Sequence, residues 1–101
     1  MEDLSLVSTF PYFHNFTAST NSTKILLPDS ARVITAGSED EALYISQAGS
    51  TEGSAPPSNK GFIPKANYMP IKMGRGNLRQ NDIYVAAKTG TPDVSIILEA
   101  E

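Results

Sequence analysis

Hydrophobic and polar residues alternate along this chain in short runs that glycine and proline separate. Alternation with a period of two is typical of β-strands, because successive side chains of a strand point to opposite faces of the sheet. No window of about 11 residues or more shows the sustained period of an amphipathic helix. The pattern therefore predicts an all-β protein, a small antiparallel β-sandwich or barrel of about six to eight strands with an extended N-terminal arm.

Seven runs are predicted as strands, and turn residues end most of them: 24–27, 31–35, 42–46, 61–63, 68–72, 82–88 and 94–99. Pro64 and Pro70 lie in or beside two of these runs. Because proline cannot donate to a ladder, we expect those two strands at edges or bulges. Residues 89–93 form the turn between the last two strands, and we expect these strands to pair as a hairpin.

Alternation also assigns the faces of the last two strands. The residues expected to face the core are Ile83, Val85, Ala87, Val94, Ile96 and Leu98. Tyr84 and Ile97 fall on the opposite faces. Large side chains there are either single exposed groups or part of a contact between subunits.

The segment from Ser38 to Ile45 has two interpretations. Ser38 followed three residues later by Glu41 matches a helix capping box, so a short helix is one of them. The run that follows is only about eight residues long and is rich in strand-forming residues, which favours a hairpin loop followed by a strand.

The beginning of the chain is rich in aromatic rings. Phe10, Tyr12, His14 and Phe16 recur with a period of two, and Phe13 lies between them. An extended segment would carry a row of rings on one face. It is either a first strand covering its own core or an arm laid on a neighbouring subunit, where rings supply contact area at low entropic cost.

We divide the chain on this basis into an N-terminal arm, residues 1–23, and a β-sandwich domain, residues 24–101. Residues 47–59 contain no large apolar side chain. Little would be gained by burying this segment, so we expect it to form an exposed, mobile loop.

Composition excludes several kinds of chemistry. The 101 residues carry 8 Lys and Arg against 11 Asp and Glu, a net charge of −3, which disfavours a nucleic-acid partner. There is no Cys, so disulfides, thiol catalysis and Cys-ligated zinc are excluded. His14 is the single histidine, so one chain cannot build a site with several histidines. We expect no cofactor, no metal and no enzymatic activity.

No stretch approaches the roughly 20 apolar residues that span a bilayer, so we expect no membrane partner. The acidic start Met1-Glu2-Asp3, with no apolar segment after it, lacks the features of a secretory signal. We therefore expect the chain to be made and used without membrane translocation by that route.

Two short motifs in the sequence are interpreted as turns. Lys88-Thr89-Gly90 matches a box of serine β-lactamases, but the Ser-x-x-Lys that accompanies it there is missing. Residues 74–77 form a glycine-containing loop without a Walker lysine. Arg75 and Arg79 lie in or next to this loop, and their expected role is to contact a carboxylate of a partner protein.

Several stretches between residues 16 and 100 resemble small β-sandwich virion proteins of tailed bacteriophages. These stretches are Phe16-Thr17-Ala18, Lys24-Ile25-Leu26-Leu27-Pro28, Ala31-Arg32-Val33, Ala42-Leu43-Tyr44-Ile45-Ser46, Ile83-Tyr84-Val85-Ala86-Ala87-Lys88-Thr89-Gly90-Thr91 and Val94-Ser95-Ile96-Ile97-Leu98-Glu99. Within that group the chain is most similar to capsid decoration, or cement, proteins. The group shares no site motif, so the resemblance transfers no functional residue.

The resemblance implies a non-enzymatic structural protein on the capsid exterior of a virion, made in the host cytoplasm. Its expected partners are the major capsid protein and sister copies in a homo-oligomer, with a trimer as the expected order. The candidate interface residues are Phe10, Tyr12, Phe13, His14, Phe16, Arg75, Arg79, Tyr84 and Ile97. The alternative is a tail, baseplate or head-fibre module whose loop 47–59 and Tyr68 would face a host surface carbohydrate.

Overall fold

The computed structural model describes residues 1–74 and 80–100. These residues form nine strands and no helix. The strands are β1 (Glu2–Asp3), β2 (Tyr12–Thr17), β3 (Thr23–Leu26), β4 (Val33–Gly37), β5 (Leu43–Ser46), β6 (Gly61–Ile63), β7 (Met69–Lys72), β8 (Asp82–Ala87) and β9 (Asp93–Glu99).

The strands build two sheets. The first sheet has the order β1-β3-β8-β5-β6, and the second has the order β2-β9-β4-β7. Neighbouring strands are antiparallel except β1 and β3, which are parallel. The predicted all-β sandwich is confirmed. The strand number exceeds the expected range because β1 and β2 come from the segment that was expected to be an arm.

The core lies between the inner faces of the two sheets. Its buried side chains include Ile25, Leu43, Ile63, Ile83, Val85 and Ala87 from the first sheet and Ile34, Ala36, Val94, Ile96 and Leu98 from the second. The inward assignment that alternation gave for the last two strands is thus confirmed. Tyr84 and Ile97 are half-buried on the outer faces.

The hairpin prediction for residues 82–99 is wrong. β8 pairs with β3 and β5, whereas β9 pairs with β2 and β4, so the turn before Asp93 carries the chain from one sheet to the other. The physical reason is that each strand has one apolar face. In a hairpin both faces would lie on one side of a single sheet, whereas in opposite sheets they bury each other.

The first 23 residues are built into the sandwich of their own chain. β2 pairs with β9 along its whole length, from Tyr12 opposite Leu98 to Thr17 opposite Asp93. Leu4 and Ala18 belong to the core, and Phe10 and Phe16 pack against it. This is the first of the two interpretations given above, a strand covering its own core. Residue 24 is therefore not a boundary in the fold.

The capping-box pattern at Ser38 closes a turn and does not start a helix. The buried Ser38 hydroxyl donates to the Asp93 carbonyl at 2.7 Å and accepts from the Asp40 N–H at 3.1 Å. The Glu41 carboxylate accepts from the Ala42 N–H at 2.8 Å, and β5 begins one residue later. A loop followed by a strand is observed here and no helix, but the loop is not a hairpin, because β4 lies in the second sheet and β5 in the first.

The loop of residues 47–59 is largely exposed, yet its tip is held in place. Ser22 donates its N–H to the Ser54 carbonyl at 2.7 Å, and Gly53 donates to the Ser22 carbonyl at 2.9 Å. The Glu52 carboxylate accepts from the Lys24 N–H at 3.1 Å and pairs with the N-terminal ammonium at 2.8 Å. The loop leaves β5 and reaches β3, with β8 between them, so it crosses the outer side of the first sheet.

Candidate interaction surface

A row of side chains crosses the outer face of the second sheet. The pairing register places Phe13, Ile97, Thr35 and Pro70 side by side on β2, β9, β4 and β7. The Phe13 side chain is 66% exposed at the end of this row, and Ile97 beside it is half-buried. We call these four residues the outer row. It brings together two of the candidate interface residues, Phe13 and Ile97.

Tyr68 extends this surface because Gly37 leaves room for its ring. A Cβ atom added at Gly37 would lie 2.5 Å from Tyr68 Cδ1 and 2.7 Å from the Asn67 carbonyl oxygen. The Tyr68 hydroxyl donates to the Glu39 carboxylate at 3.1 Å. Loss of hydration against the sheet, together with this bond, raises the pKa of the Tyr68 phenol. Tyr68 therefore adds an aromatic ring to the same face as the outer row.

The predicted row of rings exists, but it faces inward. Tyr12, His14 and Phe16 lie opposite the buried residues of β9, and the His14 and Phe16 rings stack with centroids 6.2 Å apart. His14 Nε2 lies 2.7 Å from Glu2 Oε1, which connects β2 of the second sheet to β1 of the first. Phe16 packs against the core, whereas Tyr12 at the start of the strand is 36% exposed. Phe13, which points to the other face, is the most exposed ring of β2.

The free side of β2 forms the second part of this surface. An edge strand presents unpaired N–H and C=O groups that can pair with another chain. Across the described ranges, the backbone of residues 12–17 hydrogen bonds only to β9. We call this free side the β2 edge.

The other three sheet edges each carry a feature that hinders pairing. β1 has two residues, both acidic; β6 has three and follows Lys60; and β7 contains Pro70, which has no N–H. β2 has six residues, Tyr-Phe-His-Asn-Phe-Thr, with no proline, lysine or carboxylate. It is the longest and least protected edge in the described part of the chain.

The outer face of the first sheet carries a different cluster. The rings of Tyr44 and Phe62 lie 6.0 Å apart. Lys60 Nζ lies 5.0 Å from the Tyr44 centroid, and Lys88 Nζ lies 5.9 Å from that of Phe62. None of these four residues is among the candidate interface residues predicted from the sequence. Alternation in β5 and β6 could have indicated this cluster, because it places Tyr44 and Phe62 on one outward face once the two strands are paired.

Among the described residues, the candidate Tyr84 does not join the outer row. Tyr84 is half-buried on the outer side of the first sheet, opposite Lys24 and Ser46, and so lies on the other sheet from Ile97. Arg75 and Arg79 lie outside the described residues. The candidate interface residues therefore do not form one continuous surface.

The turn that precedes β5 holds its carboxylates in internal bonds. Asp40 and Glu41 line a small cleft of about 230 Å³ together with residues 89–92. Thr89 donates its hydroxyl to Glu41 at 2.5 Å, and this bond, followed by the one from the Ala42 N–H, lowers the pKa of the Glu41 carboxyl. Among residues 1–74 and 80–100, no three His, Cys, Asp or Glu side chains are grouped to hold a metal ion.

A larger cleft of about 500 Å³ opens between the sheets at the other end of the sandwich. Ile45 and Ile83 line it from the first sheet, and Ile71 and Lys72 line it from the second. Ser46, Gln47 and Gln80 also line this cleft, so its lining mixes aliphatic and polar side chains. Within the described ranges there is no helix of the length and apolar character needed to cross a membrane.

Comparison of the chain with protein-family models, with curated proteins and with solved structures finds no match in any of the three. The fold itself defines the chain as a small all-β sandwich. Its functional interpretation therefore depends on the surfaces described above and on the resemblance noted in the sequence.

Proposed function

We propose that this chain is a non-enzymatic structural protein of a tailed-phage virion, which decorates and stabilises the capsid by binding the shell and sister subunits. One observation carries the proposal: β2 is an unprotected edge strand, and it also carries the exposed Phe13 side chain of the outer row. Such an edge supplies backbone hydrogen bonds, and an exposed ring supplies apolar area. Both favour association with another chain.

The energetics of a small domain support the same role. A domain of about 100 residues buries a modest fraction of its surface, so its own stability is limited. Covering the Phe13 side chain at an interface contributes on the order of 2 kcal/mol. Because a partner binds only the folded chain, assembly adds stability by mass action.

A protein that joins both a sister copy and a shell needs two separate surfaces. The β2 edge and the outer row belong to the second sheet, whereas the cluster of Tyr44, Phe62, Lys60 and Lys88 belongs to the first. Neither Lys60 nor Lys88 forms an ion pair with another described residue. This cluster is therefore suited to acidic groups on the capsid protein, although the chain as a whole is acidic.

The test is the copy number of the chain in purified particles of the phage that encodes it. Quantitative mass spectrometry should find it in amounts comparable to the major capsid protein, and a density map of the particle should place it on the outside of the head. A few copies confined to the tail would contradict the proposal. That result would favour the carbohydrate-binding alternative.

The groups expected to face a carbohydrate in that alternative do not share a face. Tyr68 packs on the second sheet over Gly37, whereas the loop of residues 47–59 is held against β3 of the first sheet. That alternative would therefore need a binding surface other than these groups.

A further inference from the structure

We propose that two copies of this chain pair through their β2 edges, antiparallel and about a two-fold axis that passes through Phe13. The pairing joins two four-stranded second sheets into one continuous sheet of eight strands. It depends on the edge and the outer row alone, so it does not require the chain to belong to a virion.

The β2 edge of one copy is complementary to the β2 edge of a second copy. With the axis at Phe13, residues 12–14 of the two copies face each other, so the N–H and C=O groups there that point away from β9 pair across the axis, and the two-fold axis makes the two contributions equal. The paired stretch is short, because residues 15–17 lie opposite residues 9–11 of the other copy, which precede β2 and include Pro11. β2 contains no Lys, Arg, Asp or Glu, although the chain has a net charge of −3. Pairing at this edge thus avoids placing like charges opposite each other, which would be unfavourable.

The geometry of an antiparallel pair limits the possible registers. Residues that face each other across the pair lie on the same face of the sheet, so the two-fold axis must lie between the two copies of one and the same residue. An axis at Phe13 brings the two Phe13 rings together on the outer face, with the Ile97 of each copy directly beyond them. The outer row then continues without interruption from one copy into the other. On the inner face, Tyr12 of one copy lies opposite His14 of the other.

The proposed contact closes at two copies, because each copy uses the same patch. A trimer, the order that the resemblance implies, would require a contact between two different patches. The mass in solution therefore distinguishes the two assemblies. A wrong pairing proposal would not affect the proposal of capsid binding, which the copy number in particles tests.

The first experiment measures mass in solution by light scattering coupled to size-exclusion chromatography. The wild-type chain should have twice the monomer mass of 10.8 kDa. Phe13→Lys places two like charges at the axis and should weaken the dimer on the order of tenfold or more. Phe62→Lys is the matched control. Phe62 is 48% exposed on the other sheet, so this variant should remain a dimer.

Two results of this experiment would overturn the proposal. One is a wild-type chain that stays monomeric or forms trimers at concentrations where the controls are soluble. The other is a dimer that Phe62→Lys dissociates and Phe13→Lys leaves intact. Circular dichroism spectra of both variants establish that the fold is preserved, as expected for substitutions at exposed positions.

The second experiment tests the register by disulfide cross-linking, which the absence of native cysteine makes specific. Opposed Cα atoms in an antiparallel pair lie about 4.5–5.5 Å apart, within the range that a disulfide bridges. Phe13→Cys should therefore form a covalent dimer under mild oxidation. Asn15→Cys, on the same strand and face, should not, because its two copies would be roughly 14 Å apart. Faster cross-linking of Asn15→Cys would overturn the axis at Phe13.

Discussion

At the scale of single residues, Gly37 determines how the outer surface of the second sheet is built. The Tyr68 ring and the Asn67 carbonyl occupy the space where any other residue would have its Cβ atom. Tyr68 then reaches Glu39 with its hydroxyl. The absence of a side chain at Gly37 in β4 thus leaves room for the Tyr68 ring and for the Asn67 backbone before it, some 30 residues further along the sequence.

Gly37→Ala should be destabilising by roughly 1–3 kcal/mol, because the added methyl group meets a backbone carbonyl that cannot move freely. Chemical denaturation measures this free energy of unfolding. Gly61→Ala is the control: its Cβ would come within 3.1 Å of the Ile45 side chain, which can shift more easily than a backbone carbonyl. Equal losses in the two variants would contradict the role assigned to Gly37.

The bond between Thr89 and Glu41 has a consequence for pH. The pKa of Glu41 is lower in the folded chain than in the unfolded chain, so this carboxylate stabilises the fold above its unfolded pKa. That contribution is lost as the pH falls through the lowered, folded value. Thr89→Val removes the largest cause of the shift, so the pKa of Glu41 should rise toward its ordinary value.

Nuclear magnetic resonance of the Glu41 side chain, followed as a function of pH, measures this pKa directly. Thr91→Val is the matched control, since Thr91 lines the same small cleft and is exposed. An unchanged Glu41 pKa in Thr89→Val would show that the hydroxyl does not hold the carboxylate.

At the scale of elements, the N-terminal segment belongs to both sheets. β1 pairs with β3 in the first sheet, β2 pairs with β9 in the second, and the bond between His14 and Glu2 joins them at the side of the sandwich. Leu4 lies between these two strands in the chain and is only 4% exposed.

Leu4→Ala should therefore cost about 2–5 kcal/mol of unfolding free energy, the usual range for a leucine removed from a core. Leu6→Ala, two residues further on, should cost less than about 0.5 kcal/mol, because Leu6 is 93% exposed. Thermal and denaturant unfolding of the pair measure the difference. A Leu4→Ala variant as stable as Leu6→Ala would mean that the segment is not part of the folded unit.

The sequence was sufficient to predict strands and their faces, because a period of two is a local property. It was not sufficient to predict partners. β8 and β9 have the same alternation and a short connection, and nothing local distinguishes a hairpin from a crossing between sheets. The same ambiguity affects the row of rings in β2: its period was evident, but whether it faced a neighbour or its own core depended on the pairing with β9.

At the scale of the whole molecule, the two outer faces have different characters. The second sheet presents an apolar row that ends in an open edge, whereas the first presents aromatic rings with lysines and is crossed by the loop of residues 47–59. Under the proposed function, this difference would let one small chain contact two different neighbours. Alternation could have marked single outward residues such as Tyr44 and Phe62, but it could not show the continuous surfaces, because each surface combines strands that are distant along the chain.

The loop of residues 47–59 also offers a position at which a foreign peptide can be inserted. Its hydrogen bonds to the start of β3 end at Ser54, and the chain between Ser58 and Asn59 is exposed. Exposed loop tips tolerate added sequence well. A guest epitope spliced there would project from the first sheet, on the other sheet from Phe13, so the proposed pairing of two copies should tolerate it.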